Sequence, residues 1–90
     1  MQKSAQKVPI GNAPLPLVVR AAADLGQIVR EQRHALSLRQ VDLAGIGNMG
    51  NRLIVDIEKG KPTVQLQKVL EVLDLLGLEL TVNLKSARAR

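Results

Sequence analysis

The four residues Gly-Asn-Met-Gly at positions 47–50 constrain this chain more than any other sequence feature, because they interrupt helical periodicity near its middle. Before them, residues 40–46 show the apolar spacing of a short helix, and after them, residues 51–58 show it again. Gly60 and Pro62 then end the second stretch. The sequence therefore predicts two short helices joined by a tight turn, rather than one long helix.

A further helix is expected on each side of this pair. From about residue 21 to 35, apolar residues recur at the i, i+3, i+4, i+7 spacing, with Gln32 as a polar member of the stripe. Thr63 is expected to cap the fourth helix, which Gly77 ends. The apolar residues of this helix cover more than one side of a small domain needs, and they are Leu66, Val69, Leu70, Val72, Leu73, Leu75 and Leu76.

Residues 78–84 change to the two-residue period of a β-strand with one buried face. A lone strand needs a pairing partner, and the rest of the chain offers no clear one. Pairing between two copies of the chain would satisfy its backbone groups, so we expect a homodimer. The expected dimer interface consists of Val72, Leu75, Leu78, Leu80, Val82 and Leu84.

The amino-acid inventory excludes several kinds of site. The chain has no Phe, Tyr, Trp or Cys and one histidine, His34, so no disulfide, thiolate nucleophile or Cys/His zinc site is available. The missing aromatic residues argue against proteins that stack single-stranded bases. No stretch reaches the roughly 18 apolar residues of a membrane span, and the N-terminus lacks a signal peptide's apolar run. We therefore expect a cytoplasmic protein, associated with the nucleoid, and no membrane partner.

The net charge of +5 points to nucleic acid, but the two ends of the chain carry it. Residues 1–20 and 85–90 contribute +3 each, whereas residues 21–84 have a net charge of −1. Within that middle part, residues 30–61 hold six bases and four acids, a net +2. Total charge is therefore weak support, and a DNA-reading element must be found locally.

The segment 45–50 matches the pattern G-x-G-x-x-G of dinucleotide-binding loops. Such a loop needs a following long helix, a parallel strand and an acid about 20 residues onward at the next strand's end. Here the following helix is short, and the acid at that distance, Glu71, lies within the fourth helix. We therefore interpret the glycines as a turn between helices, and we expect neither a cofactor nor an enzyme.

The second short helix has the side chains that major-groove recognition requires. Ile54 and Ile57 form its buried side, while Asn51, Arg52 and Val55 point outward. Arginine pairs with guanine O6 and N7, asparagine pairs with adenine N6 and N7, and valine can touch a thymine methyl group. This pattern is typical of the recognition helix of a helix-turn-helix protein.

The motif residues resemble a known family. Leu36-x-Leu38-x-Gln40-x-x-Leu43-Ala44, followed by Ile54-x-x-Ile57-Glu58-Lys59-Gly60-Lys61-Pro62, is similar to the lambda-repressor-like Cro/CI (Xre) helix-turn-helix family over residues 22–77. The ending Leu76-Gly77-Leu78-Glu79-Leu80-Thr81-Val82 is most similar to HipB-type antitoxins. The resemblance implies a mainly α fold of four to five short helices, with a C-terminal strand that pairs across a homodimer.

The resemblance also implies where DNA is bound. Gln40 falls where the family touches the DNA backbone, and positions 50–52 and 55 fall where it reads bases. The chain departs from the family at Arg39, which replaces the usual Ser or Thr cap, and at Gly50, where the family favours Ser or a basic residue. The expected DNA-binding residues are Arg39, Gln40, Gly50, Asn51, Arg52, Val55, Lys59 and Lys61.

Four segments are expected along the chain: an N-terminal arm at 1–19, the helix-turn-helix domain at 20–77, the dimerisation strand at 78–84 and a basic tail at 85–90. Glu58 is expected to pair with Arg30 or Arg33, because no nucleophile or metal ligand accompanies it.

The leading interpretation is a homodimeric, sequence-specific repressor of double-stranded DNA with a palindromic operator. The HipB resemblance adds a HipA-like serine/threonine kinase toxin as partner and an autoregulated operon. Two alternatives stay open: a protein-interaction module that neutralises a toxin with little DNA specificity, and a stand-alone phage-type repressor.

Overall fold

The computed structural model describes residues 15–85, and four helices lie within that range. They are α1 (Ala22–Ala35), α2 (Gln40–Ile46), α3 (Asn51–Lys59) and α4 (Leu66–Leu75). The expectation of a mainly α fold with four short helices is therefore confirmed. Most of the predicted arm, residues 1–14, and most of the basic tail, residues 86–90, lie outside the described residues.

Each helix contributes apolar side chains to one core. Burying a side chain of this size stabilises a fold by about 1.5–3 kcal/mol, so helices as short as α2 depend on the core for their stability. The residues predicted to face inward on α2 and α3 are confirmed as buried, except Ile46 at the end of α2, which is 62% exposed. The core residues are Val29, Leu43, Ala44, Ile54, Ile57, Val69, Val72, Leu73 and Leu76.

The polar member of the α1 stripe, Gln32, has a structural use. Its side chain is 1% exposed, and its Nε2 donates a hydrogen bond to the carbonyl of Leu76 at 3.0 Å. A buried amide needs such a partner, because an unpaired polar group in the core costs free energy. Gln32 thereby links the last turn of α1 to the residue that caps the end of α4.

Helices α1 and α3 approach each other closely at Gly26. A Cβ atom at this position would lie 2.8 Å from the carbonyl oxygen of Glu58 and closer still to that of Ile57. Glycine is therefore required here by the distance between the two helices, which sets how α3 sits on the core.

The turn between α2 and α3 uses a left-handed residue, as predicted. Asn48 has φ 55°, a conformation that asparagine tolerates better than most residues, and the N–H of Met49 donates to the carbonyl of Ala44 at 2.9 Å. Gly47 has φ −86° and is not the left-handed position. A Cβ there would lie 2.7 Å from Leu75 Cδ1, so Gly47 lets the turn pack against α4.

The predicted start of the fourth helix is wrong. Thr63 lies in a turn, and the cap of α4 is Gln65, so that the helix begins two residues later than expected. The chain uses residues 62–64 to change direction after α3, and a helix cannot begin before that change is complete. Leu66 therefore occupies the exposed first turn of α4 rather than its buried stripe.

The predicted dimer interface needs one correction. Val72 is 0% exposed within the single chain, because it faces the core rather than the outer side of α4. Leu78 is also partly buried against the core, held by the hydrogen bond from its N–H to the carbonyl of Leu73 at 2.9 Å. Val72 is consequently removed from the set of candidate dimer contacts.

The segment 78–84 carries neither helix nor paired strand, and no β-ladder occurs within residues 15–85. It follows Gly77, whose φ of 77° ends α4 as predicted. Leu75, Leu80, Val82 and Leu84 remain substantially exposed. Within the part of the chain that the structure describes, no helix is long and apolar enough to cross a membrane.

Candidate nucleic-acid interface

Helix α3 places its polar first turn toward solvent. Ile54 and Ile57 are 0% and 4% exposed and fix the inner side of the helix on the core. Asn51 and Arg52 are exposed, and Val55 is half-buried. Because a recognition helix enters the major groove with its N-terminal residues first, this arrangement presents the predicted base-reading side chains outward.

Gly50 is the residue that caps α3, and it has no side chain with which to satisfy the first backbone N–H groups of the helix. A Cβ built at this position would meet no atom within 4 Å. The start of α3 is therefore open on the side where DNA is expected, and Gly50 contributes only backbone there.

Arg52 and Lys61 share one carboxylate. Arg52 Nε lies 3.1 Å from Asp56 Oδ1, and Lys61 Nζ lies 3.6 Å from Asp56 Oδ2. The Arg52 and Lys61 side chains are 78% and 52% exposed, whereas that of Asp56 is 15% exposed. The two cations therefore remain accessible while the acid between them is largely covered.

Arg39 pairs with Asp42 at the start of α2. Its Nη2 donates to Asp42 Oδ1 at 2.9 Å and its Nε donates to Oδ2 at 3.1 Å, while its backbone N–H donates to Oδ2 at 2.8 Å. These hydrogen bonds lower the pKa of Asp42 from its ordinary 3.8 to about 2 and raise the pKa of Arg39. Asp42 thus accepts from the backbone N–H of the cap residue, which is the reverse half of a capping box, and Arg39 supplies no side-chain cap of its own.

Gln40 and Glu58 connect the beginning of α2 to the end of α3. Gln40 Nε2 donates to Glu58 Oε1 at 3.0 Å, and Arg33 holds the same carboxylate from α1. Burial raises the pKa of Glu58, but the hydrogen bonds from Arg33 and Gln40 outweigh it, so that the pKa lies below its ordinary value. The expected pairing of Glu58 with Arg33 is confirmed, and Gln40 is oriented by it.

The remaining predicted residue, Lys59, is exposed and is the last residue of α3. The predicted DNA-binding residues lie in three places. Gly50 caps α3, which carries Asn51, Arg52, Val55 and Lys59. Arg39 and Gln40 lie at the start of α2, and Lys61 follows α3.

Sequence reasoning missed the two acids beside the predicted cations. Asp42 lies three residues after Arg39, and Asp56 lies four residues after Arg52. These are the spacings at which helical side chains meet, so the signal was present in the sequence. Arg39, Arg52 and Lys61 are consequently paired within the chain rather than solvated singly.

The glycine pattern at 45–50 does not form a phosphate-binding loop. Gly45 lies inside α2, and Gly50 caps α3. The segment therefore runs from one helix to the next, whereas a phosphate-binding loop follows a strand. Among the described residues, no group of three or more His, Cys, Asp and Glu side chains is placed to hold a metal ion.

Two short helices joined by a left-handed turn, with a buried inner side and a polar outer side on the second helix, define the helix-turn-helix class. None of the protein-family models compared with the chain matches it. The chain is similar to a curated protein: it is 47% identical over 64 residues to an uncharacterized HTH-type transcriptional regulator, y4mF, of Sinorhizobium fredii. The alignment covers 71% of this chain and 84% of that relative. The chain therefore belongs to the family of helix-turn-helix transcriptional regulators.

Among solved structures, the fold is similar to that of a HipB variant in its complex with an O2 20mer. The TM-score is 0.69, with 18% sequence identity over 74% of this chain and 93% of the HipB chain. The Cro/CI-type, HipB-like resemblance predicted from the motif is thereby confirmed at the level of the fold. The Sinorhizobium fredii relative is named as a transcriptional regulator, not as an enzyme.

Proposed function

We propose that this protein is a homodimeric repressor that binds a palindromic operator in double-stranded DNA through α2 and α3. The observation that carries this proposal is the orientation of α3. Its inner side is fixed by Ile54 and Ile57, and its first turn presents Asn51 and Arg52 to solvent. The HipB–O2 20mer complex, whose fold this chain shares, supports the same use of the fold.

The candidate interface divides into base-reading and phosphate-binding residues. We assign Asn51 to adenine, Arg52 to guanine and Val55 to a thymine methyl group, since these are the contacts that each side chain makes in the major groove. The residues around them position the helix on the duplex by contacting phosphates, and they are Arg39, Gln40, the backbone of Gly50, Lys59 and Lys61.

Dimerisation is assigned to the segment after α4. Leu80, Val82 and Leu84 alternate with polar residues and are 46%, 95% and 76% exposed. A strand formed with the same segment of a second copy would cover them and satisfy its backbone groups. Leu75, which is 37% exposed at the end of α4, and the half-buried Leu78 complete the proposed interface. Two α3 helices would then enter successive major grooves about 34 Å apart.

We further assign the protein to a toxin–antitoxin pair that represses its own operon in the cytoplasm, associated with the nucleoid. The HipB-like ending after α4 and the shared fold support this assignment. The corresponding partner is a HipA-like serine/threonine kinase. Coexpression with an adjacent kinase-like reading frame tests it, since an antitoxin copurifies with the kinase and a stand-alone repressor does not.

One observation favours a second candidate, a protein-interaction module with little DNA specificity. Three predicted DNA-contacting cations, Arg39, Arg52 and Lys61, already face carboxylates within the chain. Such pairing reduces the positive potential that attracts phosphates. The two candidates differ in their sequence preference for DNA, which is directly measurable.

The experiment is a titration of the full chain with the DNA upstream of its own gene and with a scrambled duplex of equal length and composition. A repressor binds the upstream DNA at least about 10³-fold more tightly at physiological salt. The salt dependence of both titrations separates phosphate contacts from base contacts. Equal affinities with equal salt slopes would exclude the repressor and favour the interaction module.

A further inference from the structure

The acid between Arg52 and Lys61 has no role in the proposed contacts, although it lies on the reading helix. Arg52 and Asp56 are one helical turn apart on α3, and the ion pair joins Arg52 Nε to Asp56 Oδ1 at 3.1 Å. A carboxylate at a DNA-facing surface repels phosphates, so its presence there calls for a compensating use.

The geometry of the pair leaves the end of the guanidinium free. Arginine has five N–H donors in a planar fork, of which Nε carries one. Asp56 lies nearest to Nε, and within residues 15–85 no hydrogen bond engages the two terminal nitrogens of Arg52, whose side chain is 78% exposed. Two terminal nitrogens are sufficient for the bidentate contact to guanine O6 and N7.

Asp56 is itself held in place from the other side. Its Oδ2 lies 3.6 Å from Lys61 Nζ, and its backbone carbonyl accepts a hydrogen bond from the Lys61 N–H at 3.0 Å. That second bond belongs to the helix end at Gly60, whose φ is 80°. The carboxylate is 15% exposed, so it is a fixed point against which a long, exposed side chain can be oriented.

We infer that Asp56 is a positioning residue for base readout, which orients the Arg52 guanidinium toward a guanine in the major groove. This inference rests on the proposed function, because it concerns the specificity of the same interface. Holding Arg52 before binding removes the entropic cost of immobilising it on DNA, a cost that corresponds to about 2- to 12-fold in affinity. Asp56 therefore increases the preference for guanine, while its negative charge lowers the part of the affinity that does not depend on sequence.

These two effects have opposite signs in the variant Asp56→Asn. The preference for guanine at the position read by Arg52 falls by about 2- to 12-fold, because the side chain is no longer oriented. Affinity for a scrambled duplex rises, because a negative charge is removed and Lys61 is released to bind phosphate. If Asp56 only stabilised α3, its replacement would lower both the preference for guanine and the affinity for the scrambled duplex.

The experiment starts from duplexes selected by the full wild-type chain from a library with a random core. The best duplex and its single base-pair variants are then titrated with the wild type, Asp56→Asn, Arg52→Ala and the double variant. Glu71→Gln is the matched control, since it removes the same charge from an i, i+3 pair with Lys68 on α4. It is expected to leave every base preference unchanged.

Support requires that Asp56→Asn weakens the preference only at the base position where Arg52→Ala abolishes it, with no further loss in the double variant. The positioning role alone is overturned if the base preference is unchanged in Asp56→Asn. It is also overturned if Asp56→Asn weakens a base preference to the same extent in the Arg52→Ala background as in the wild type. If the wild type selects no sequence from the library, the proposed function itself is overturned, and the inference with it.

Discussion

Arg33 and Glu58 form a buried ion pair that joins α1 to the end of α3. Arg33 Nε donates to Glu58 Oε2 at 2.6 Å, Nη2 donates to Oε1 at 3.0 Å, and the side chains are 6% and 3% exposed. Arg33 Nη1 also donates to the carbonyl of Leu38 at 2.8 Å, so one guanidinium holds α3 and the loop before α2 together. The angle of the candidate interface therefore depends on this pair.

Removing one member of the pair is expected to destabilise the protein strongly. Arg33→Met leaves the Glu58 carboxylate buried without its cation and should lower the free energy of unfolding by about 3 kcal/mol in urea titrations. The control is the double variant Arg33→Met/Glu58→Gln, which removes the buried charge and should recover a large part of the loss. A loss below about 1 kcal/mol for Arg33→Met would mean that the pair behaves like an exposed one.

Two glycines in helices should respond oppositely to alanine. Gly26→Ala places a Cβ against the backbone carbonyls of α3 and should lower the free energy of unfolding by about 2 kcal/mol. Gly45→Ala, in α2, meets no atom within 4 Å and should raise it by about 0.5–1 kcal/mol. Thermal and urea unfolding of both variants measure the difference. Equal effects would contradict the close approach of α1 and α3.

How much the sequence predicts differs from element to element. The bounds of α1 follow from apolar periodicity, and those of α2 and α3 follow also from the glycines that flank them, because these signals are local. The predicted start of α4 at Thr63 was wrong, because the type of a capping residue does not show whether the chain is still turning.

The placement of Val72 in the dimer interface was wrong for a related reason. A helix that is apolar on two sides does not indicate which side the core takes, and only packing assigned Val72 to it. In the candidate site, the outward residues of α3 were predictable from the inward ones. The pairing of Arg52 with Asp56 was visible only as a spacing, and its geometry required the structure.

The Asp42 carboxyl should make stability depend on pH in acid. Its pKa is lowered from 3.8 to about 2 in the folded chain, so the folded state favours the charged form. The resulting stabilisation is complete above about pH 4 and is lost as the pH falls toward 2. The measurement compares the wild type with Asp42→Asn, which keeps a capping oxygen but not the charge, in urea titrations from pH 6 to pH 2. A difference between them that stayed constant over this range would contradict the lowered pKa.

The segment after Leu78 should determine the oligomeric state. A chain truncated after Leu78 keeps the hydrogen bond from its N–H to Leu73 and the packing of this side chain on the core, but it loses Leu80, Val82 and Leu84. It is expected to sediment as a folded monomer, whereas the full chain sediments as a dimer. A truncated chain that remained dimeric would place the interface elsewhere, with the exposed side of α4 as the next surface to test.

The most direct test of base reading by α3 is the binding of the double variant Asn51→Ala/Arg52→Ala to the DNA upstream of the gene. Both side chains are exposed, so circular dichroism should show an unchanged helix content. We expect the affinity for the upstream DNA to fall to that for a scrambled duplex, while phosphate-dependent binding persists. Unchanged affinity of the folded double variant for the upstream DNA would show that Asn51 and Arg52 do not read its bases.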